Sequence, residues 1–492
     1  PITVEGNDSF GVSVRSILNG DYRQKQAVDD VDADTDNEDS NGASVTVLGS
    51  NSVAVDFRED ITGNVGIGGL TQATGENSVG ARFLGDVAGE FMVDGSILTT
   101  GFTSTSASNY EDPDSADDND VGFDEPDKLD PDDLLVGGAA LEIRGDLGRG
   151  FLINGPATGG ADPTEDVKDV VQDFNPNRTA GSITSVGSAP ALVIQPLDGA
   201  AGDELRLARV RETVRDTLDD DDDDDRNEVI GVFDYDFGFI NRGTILGNGQ
   251  NKDFSASAVR IAGSADGQHQ TIIEGGIFNG GSITALSFEN NAVGLNIGSG
   301  ASSPQLVNAG AISAVANTQT THDAIAVRAD AGASLPTVTN NGSIGATVDS
   351  FDGDASAFQD LSGTVTTFNN NSRIGALFLD DDPNDDITSG TGRAIALDLS
   401  HSASGVTLTQ TDTIDNTRIF GDILFGAGGD RFDLLSGQVV GNVDFGTGSD
   451  VLQVNSATLL GDAVFRGANA DVSLVASEME GAITLGNAAA AL

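Results

Sequence analysis

The sequence predicts an all-β fold, a right-handed parallel β-helix (β-solenoid) with acidic loop insertions and one short helical insertion. Three observations lead to this prediction. Glycines recur every twenty residues near the C-terminus, at Gly421, Gly441, Gly461 and Gly481. Apolar and polar residues alternate inside short runs, which is the period of a β-strand. An Asn-x-Gly-x-Ile pattern also recurs through the middle of the chain. Strand-like runs that return at a regular interval are typical of solenoids.

The composition fits a narrow stacked core and limits the classes of partner. The 492 residues include 23 Phe but only 3 Tyr, no Trp and no Cys. The lack of cysteine rules out disulfides, thiolate catalysis and cysteine metal sites. The 78 acidic and 24 basic residues give a net charge of −54, which argues against nucleic acid and anionic membranes as partners. No apolar run approaches the roughly 20 residues of a membrane-spanning helix, so no transmembrane segment is expected.

Residues 1–230 are expected to form N-terminal coils. The runs that begin at Ser52, Ser78 and Ala139 alternate in the same way and are each followed by a short strand next to glycine. Four polar, mostly acidic segments interrupt this part, at about 24–42, 109–135, 160–178 and 202–228. Segments of this composition are expected to leave the rod as surface loops.

Aspartates two apart in the first two insertions are candidate Ca²⁺ ligands, because closely spaced carboxylates can surround one hard cation. The candidates are Asp30, Asp32, Asp34, Asp36, Asp112, Asp114 and Asp117. An EF-hand is excluded, since the sixth position of the first run is not glycine and Asn41 occupies the twelfth. The alternative is a disordered, solvated acidic loop.

The fourth insertion differs from the others because its apolar residues have helical spacing. Leu207, Val210, Val214 and Leu218 lie three or four residues apart, and arginines alternate with acids between them. This spacing predicts a short amphipathic helix that packs on the rod or on a neighbouring molecule. An aspartate run at 219–225 follows it.

Residues 231–420 carry the Asn-x-Gly-x-Ile pattern and are expected to form the central coils. Its isoleucines lie 38, 29, 32 and 30 residues apart. Glycine and asparagine at a corner are expected to provide positive φ angles, and stacked asparagines can hydrogen-bond as a ladder. The asparagines are therefore interpreted as structural rather than as a ligand site. They are Asn241, Asn279, Asn308, Asn340 and Asn370.

Residues 421–492 form the most regular coils. Two apolar columns accompany the glycines, Ile423 with Val443, Ala463 and Ile483, and Phe425 with Phe445, Phe465 and Leu485. We expect two or three strands per coil. About 21 residues per coil would give about 18 coils and a rod on the order of 85 Å long.

Asp430 and Asp450 complete the candidate Ca²⁺ ligands. Each ends a Gly-x-Gly-x-Asp stretch that is similar to part of the Ca²⁺-binding nonapeptide repeats of RTX proteins, although here the interval is twenty residues. A glycine-rich corner without metal is the alternative. Calcium is the only cofactor that the sequence suggests.

An enzyme is not expected. The three histidines, His269, His322 and His401, lie in no metal-binding pattern, and a Gly-x-Ser-x-Gly nucleophile motif is missing. Acidic residues are so frequent that no single pair is informative. A carbohydrate-active β-helix enzyme, either a polysaccharide lyase or a glycosidase, remains the alternative function.

The repeated Asn-x-Gly-x-Ile strands and the four terminal glycine coils resemble the passenger domains of type V autotransporters of Gram-negative bacteria. This resemblance implies export across the outer membrane and an adhesive, aggregating or coat-forming role at the bacterial cell surface. In that family a translocator barrel usually follows the passenger. The sequence lacks the barrel's strand pattern, so we expect that the barrel was cleaved or excluded, or that export uses another route.

The function predicted from the sequence is that of an extracellular structural or adhesive rod. Self-assembly into a filament or surface layer is one option, with Ca²⁺ bridging acidic faces. The expected partners are other copies of the chain, or host or neighbouring cell-surface molecules.

Overall fold

The computed structural model describes residues 1–24, 43–101, 135–156, 178–199, 204–215, 229–250, 254–317, 321–349, 352–379, 390–411, 417–486 and 489–491. Within these ranges the regular structure consists of strands, without a helix. Most coils contribute three strands, one to each of three long parallel sheets.

The strands of the first five coils are β1 (Ile2–Glu5), β2 (Phe10–Val14), β3 (Tyr22–Gln24), β4 (Ser44–Leu48), β5 (Val53–Phe57), β6 (Val65–Ile67), β7 (Leu70–Thr74), β8 (Val79–Phe83), β9 (Phe91–Val93), β10 (Ser96–Thr100), β11 (Leu141–Ile143), β12 (Phe151–Ile153), β13 (Ser182–Val186), β14 (Leu192–Ile194), β15 (Glu204–Leu207), β16 (Arg211–Arg215), β17 (Val229–Asp234) and β18 (Phe239–Asn241).

The next five coils contain β19 (Thr244–Gly249), β20 (Ala256–Ile261), β21 (Gln270–Ile273), β22 (Ile277–Asn279), β23 (Ser282–Phe288), β24 (Ala292–Ile297), β25 (Ala301–Ser302), β26 (Gln305–Asn308), β27 (Ala311–Asn317), β28 (Ala324–Ala329), β29 (Thr337–Asn340), β30 (Ser343–Val348), β31 (Ala355–Asp360), β32 (Thr367–Asn370), β33 (Arg373–Phe378), β34 (Ala394–Asp398) and β35 (Thr407–Gln410).

The remaining strands are β36 (Arg418–Phe420), β37 (Asp422–Leu424), β38 (Arg431–Leu434), β39 (Gln438–Val440), β40 (Val443–Asp444), β41 (Ser449–Asn455), β42 (Thr458–Leu460), β43 (Ala463–Phe465), β44 (Asn469–Val475), β45 (Glu478–Glu480), β46 (Ile483–Leu485) and β47 (Ala489–Ala491).

Sheet 1 begins with β1, sheet 2 with β2 and sheet 3 with β3, and each contains 14 strands from successive coils within the described residues. Within the described residues, the strand pairings inside these sheets are parallel and join equivalent positions of neighbouring coils, for example Ile423 with Val443 and Val443 with Ala463. The parallel β-solenoid predicted from the sequence is therefore confirmed. Thirteen intervals of about 4.8 Å separate the first of the fourteen coils from the last, which gives a length of about 62 Å. The prediction of 18 coils was too high because most central coils use about 30 residues or more.

The core is a set of continuous columns inside the coil. Phe425, Phe445 and Phe465 are nearly buried, with ring centroids 5.1 and 4.4 Å apart and almost parallel planes. A second column joins Phe432 to Leu452 and Leu452 to Val472. The twenty-residue register read from the sequence is confirmed by these pairings.

The asparagines of the central coils form the expected ladder. All five are fully buried, and each side-chain amide donates to the side-chain oxygen one coil further on. The donor–acceptor distances are 2.7, 2.8, 2.9 and 2.9 Å from Asn241 to Asn370, and Asn370 then donates to Gln410 at 3.1 Å. A buried amide needs such partners, because an unpaired one costs about 1–3 kcal/mol.

The reason for glycine in the Asn-x-Gly-x-Ile motif differs from the expected one. Gly310 and Gly342 do not have positive φ angles, and neither do the asparagines. A Cβ at Gly342 would instead lie 2.0 Å from the carbonyl oxygen of Gly310. These glycines are needed because the backbones of successive coils approach closely. At the C-terminal corners the prediction was correct, since Gly441 has φ +148°.

The predicted helix in the fourth insertion is wrong. Strand β15 pairs with β21 in parallel, and its inward Leu205 and Leu207 join the main core. Strands β16 and β17 form an antiparallel pair, called the flap here, which packs on the outside of sheet 3. Buried and exposed residues alternate along β15, with Leu205 and Leu207 buried, and this alternation is that of a strand. The β-branched residues that follow, Val210, Thr213 and Val214, also favour strands.

A search for membrane-spanning helices in the described part of the chain finds none.

Candidate functional site

Asp430 and Asp450 lie at the same corner of two successive coils. Asp430 immediately precedes β38, and Asp450 is the second residue of β41. Inward and outward residues alternate along these strands, and both aspartates fall on inward positions with 1% of their surface exposed. The glycine-rich segments before them bring the two corners together, since a Cβ at Gly448 would lie 1.8 Å from the carbonyl oxygen of Gly428.

One oxygen of each carboxyl group binds a backbone N–H. The N–H of Val406 donates to Oδ1 of Asp430 at 2.7 Å, and the N–H of Asp430 donates to Oδ1 of Asp450 at 3.0 Å. The other oxygen, Oδ2, is buried in both residues and has no hydrogen-bond partner within the described part of the chain. Two neighbouring, half-satisfied carboxyl groups are therefore enclosed in this corner.

The electrostatics of the corner favour the protonated form. Burial raises the pKa of Asp430 to about 6, opposed by the N–H of Val406 and reinforced by the charge of Asp450. Burial also raises the pKa of Asp450, opposed by the N–H of Asp430. Desolvation penalises a carboxylate, and a second carboxylate nearby adds to that penalty. A proton or a cation on the Oδ2 atoms would relieve it.

Two of the nine candidate calcium ligands, Asp430 and Asp450, lie within the described residues. Ca²⁺ takes six to eight oxygen ligands, of which two carboxylates supply a fraction. Within the described ranges no group of three or more His, Cys, Asp or Glu side chains is arranged to hold a metal ion. The other seven candidates, from Asp30 to Asp117, lie outside the described residues. Calcium binding stays a prediction.

A second buried cluster ties the flap to the rod. Glu212 of β16 contacts Arg242 at 2.9 Å and Arg178 at 3.1 Å, and the hydroxyl of Tyr235 donates to its Oε2 at 2.7 Å. The three charged side chains are at most 8% exposed. Burial alone would raise the pKa of Glu212, but the two arginines and the tyrosine hydroxyl outweigh it, so that the pKa is lowered. Apolar residues surround the cluster, namely Leu152, Val210, Val214, Ile240 and Phe278.

The sequence did not reveal this cluster. Glu212 and Arg242 are 30 residues apart, and nothing in the local pattern pairs them. The strand-favouring residues near Val214 were the available signal, and recognising them would have replaced the helix by a flap.

The chain was compared with protein families, curated proteins and solved structures. No family model matches the chain, and neither the curated proteins nor the solved structures contain a significant match. The fold alone defines the class of this protein, which is that of parallel β-solenoid repeat proteins.

Proposed function

We propose that this chain is an extracellular structural or adhesive rod on a bacterial cell surface, similar in role to autotransporter passengers. The observation that supports the proposal best is the run of three parallel sheets, each 14 strands long in the described residues. Such a body is held by backbone hydrogen bonds between successive coils and presents long, regular faces. A rod of this kind can hold a binding surface rigidly at a distance from the cell that carries it.

The charge of the chain supports the same proposal. A net charge of −54 repels polyanions and opposes the compact state through self-repulsion. In a salty medium the Debye length falls to about 8 Å, so that most of this repulsion is screened. An acidic rod without cysteine is therefore suited to a saline exterior.

Localisation on intact producing cells tests the proposal. An antibody against the purified chain should label unlysed cells by immunogold electron microscopy, and external protease should remove the label. A deletion strain should lose adhesion or aggregation and regain it on complementation. Labelling that appears only after lysis would contradict the proposal.

Calcium is proposed as an accessory ligand that bridges acidic segments. Thermal melting and light scattering should be compared in Ca²⁺, in Mg²⁺ and in a chelator, with parent chain and with Asp430→Asn/Asp450→Asn. A Ca²⁺-specific stabilisation that the double variant loses would assign binding to the corner. A stabilisation that the variant retains would assign it elsewhere in the chain, and identical curves in all three media would exclude it.

The enzyme alternative is tested with the same preparation. Incubation with acidic and neutral polysaccharides should release no new reducing or unsaturated ends. Turnover of any glycan would replace the structural role by a carbohydrate-active one.

A further inference from the structure

The outer surface of sheet 1 contains a long stretch without charge. Eight successive strands, from β4 to β30 in the order of the sheet, each present at least three outward positions, and the first three of each strand make 24. None of these positions carries a charged residue, although 21% of the residues in the chain are charged, many of them in acidic segments outside the described residues. These 24 positions are called the neutral face here; they are Ser44, Thr46, Leu48, Leu70, Gln72, Thr74, Ser96, Leu98, Thr100, Ser182, Thr184, Val186, Thr244, Leu246, Asn248, Ser282, Thr284, Leu286, Ala311, Ser313, Val315, Ser343, Gly345 and Thr347.

The neutral face is accessible and has definite ends. None of its positions is buried in the described structure, and Leu48 and Leu286 are 36% and 37% exposed. Charged residues return immediately beyond it. Glu5 pairs with Leu48 on one side, and Arg373 pairs with Ser343 on the other.

The other two sheets differ from sheet 1 in ways that bear on its role. The outer surface of sheet 2 is charged, and successive strands place Asp56, Arg82 and Glu142 side by side. Sheet 3 has uncharged outward residues, including Leu152 and Phe278, but the flap covers them. The chain therefore covers one uncharged outer surface itself, and the described residues leave the neutral face of sheet 1 open.

We propose that the neutral face binds the neutral face of a second copy of the chain, so that two rods pair side by side. This inference deepens the proposed function, because it specifies how such rods associate. Thirteen of its 24 positions are Ser or Thr and eight are Leu, Val or Ala. A hydroxyl group both donates and accepts hydrogen bonds, so a row of Ser and Thr side chains can bind an identical row on a second copy. A twofold interface requires this self-complementarity, because the same surface contributes from both chains.

Charge and area both favour a second copy as the occupant. Pairing through sheet 2 would bring charged rows of two strongly acidic chains into contact, whereas the neutral faces meet without burying a carboxylate. Eight strands and three outward columns span about 38 Å by 20 Å. That is close to the roughly 800 Å² per partner that a standard protein interface buries.

Sedimentation of the purified chain at increasing salt tests the pairing. Dimers should form and become tighter from low to physiological salt, because salt screens the repulsion between the rods without weakening contacts that contain no ion pairs. Thr184→Glu and Gln72→Glu, which place a carboxylate in the face, should raise the dimer dissociation constant at least tenfold. Gln359→Glu makes the same change on an outward position of sheet 2 and should alter it less than twofold.

The absence of cysteine allows the contacting face to be located directly. A spin label on Thr184→Cys should give a short distance between labels in the dimer, while a label on Gln359→Cys should give a long one. A chain that stays monomeric at high concentration and physiological salt would overturn the inference, as would equal disruption by Gln359→Glu. Poor labelling of Thr184→Cys in the monomer would show that another part of the chain covers the face, which would also overturn it.

Failure of the pairing can be distinguished from failure of the proposed function. Monomeric rods that label on intact cells would leave the surface role in place and remove only the pairing. Dimers of a protein that is detected only after lysis would leave the pairing in place and remove the surface role.

Discussion

The backbone N–H of Asp430 donates to Oδ1 of Asp450, one coil further along the chain, at 3.0 Å. Two buried carboxyl groups are thereby stacked in a corner of the solenoid, each with its Oδ2 atom unpaired within the described structure. The glycine-rich turn brings them together, and the low dielectric makes their ionisation unfavourable.

The first prediction concerns pH and the variant Asp430→Asn. The pKa of Asp430 in the fold is about 6, above its ordinary value of 3.8, so the folded state binds more protons than the unfolded state between these values. The contribution of this group to stability is therefore full below about pH 4 and is lost as pH rises through 6. The variant should be more stable than the parent at pH 7, by on the order of 2 kcal/mol, and less dependent on pH in this window.

Hydrogen exchange of the C-terminal coils at pH 4, 5.5 and 7 measures this effect. Asp471→Asn, an exposed aspartate on the same sheet, is the matched control and should leave the profile unchanged. Equal pH profiles for Asp430→Asn and the parent would contradict the prediction.

The flap should respond to acid in the opposite direction. The pKa of Glu212 is lowered in the fold, so its contribution is present above its unfolded pKa and is lost as pH falls through the folded value. Glu212→Gln removes the carboxylate that Arg242 and Arg178 both contact inside the buried cluster, which should cost about 3–5 kcal/mol.

Limited proteolysis of the flap, followed by mass spectrometry, detects its release. Glu204→Gln breaks an exposed pair with Arg206, which solvent screens, and should leave the flap as resistant to the protease as it is in the parent. If both variants resist the protease equally, the buried cluster does not hold the flap.

The phenylalanine column predicts the outcome of Phe445→Asp. This side chain lies fully buried between Phe425 and Phe465, so a carboxylate there should unfold the C-terminal coils or raise its pKa strongly. Val464→Asp, on an outward position of β43, should be tolerated. Circular dichroism melts of the two variants provide the comparison, and a parental melt for Phe445→Asp would refute the register.

The asparagine ladder predicts a large effect of Asn308→Asp. Asn308 accepts from Asn279 and donates to Asn340, and the aspartate would face the oxygen of Asn340 without a proton to donate. We expect a loss of about 2–5 kcal/mol at neutral pH, partly recovered in acid when the carboxyl group is protonated. Asn341→Asp, exposed beside the ladder, is the control in chemical denaturation. A loss no larger than that of the control would mean that the ladder adds little stability.

Much of the fold could be predicted because each coil repeats the constraints of the previous one. Phe425, Phe445 and Phe465 occupy one column in the sequence and one column in space, so an interval of twenty residues was sufficient. The candidate site was only partly predictable. The pairing of Asp430 with Asp450 follows from the same interval, but their burial and unpaired oxygens depend on how closely the glycine corners approach.

The helix prediction failed for a related reason. Val210 and Val214 have a spacing that a helix and a flap can both use, and local propensity did not distinguish them. Packing against Leu152, Ile240 and Phe278 on the outside of sheet 3 selects the extended form.

The sequence by itself determined the parallel stacking, its register in the regular coils, the asparagine ladder and the acidic character of the rod, because these properties repeat locally along the chain. Only the tertiary structure decided the strand form and position of the flap, the ion cluster around Glu212 and the gathering of uncharged residues on the neutral face. Those features join residues from distant coils, and their energies depend on which surfaces lie next to each other in space.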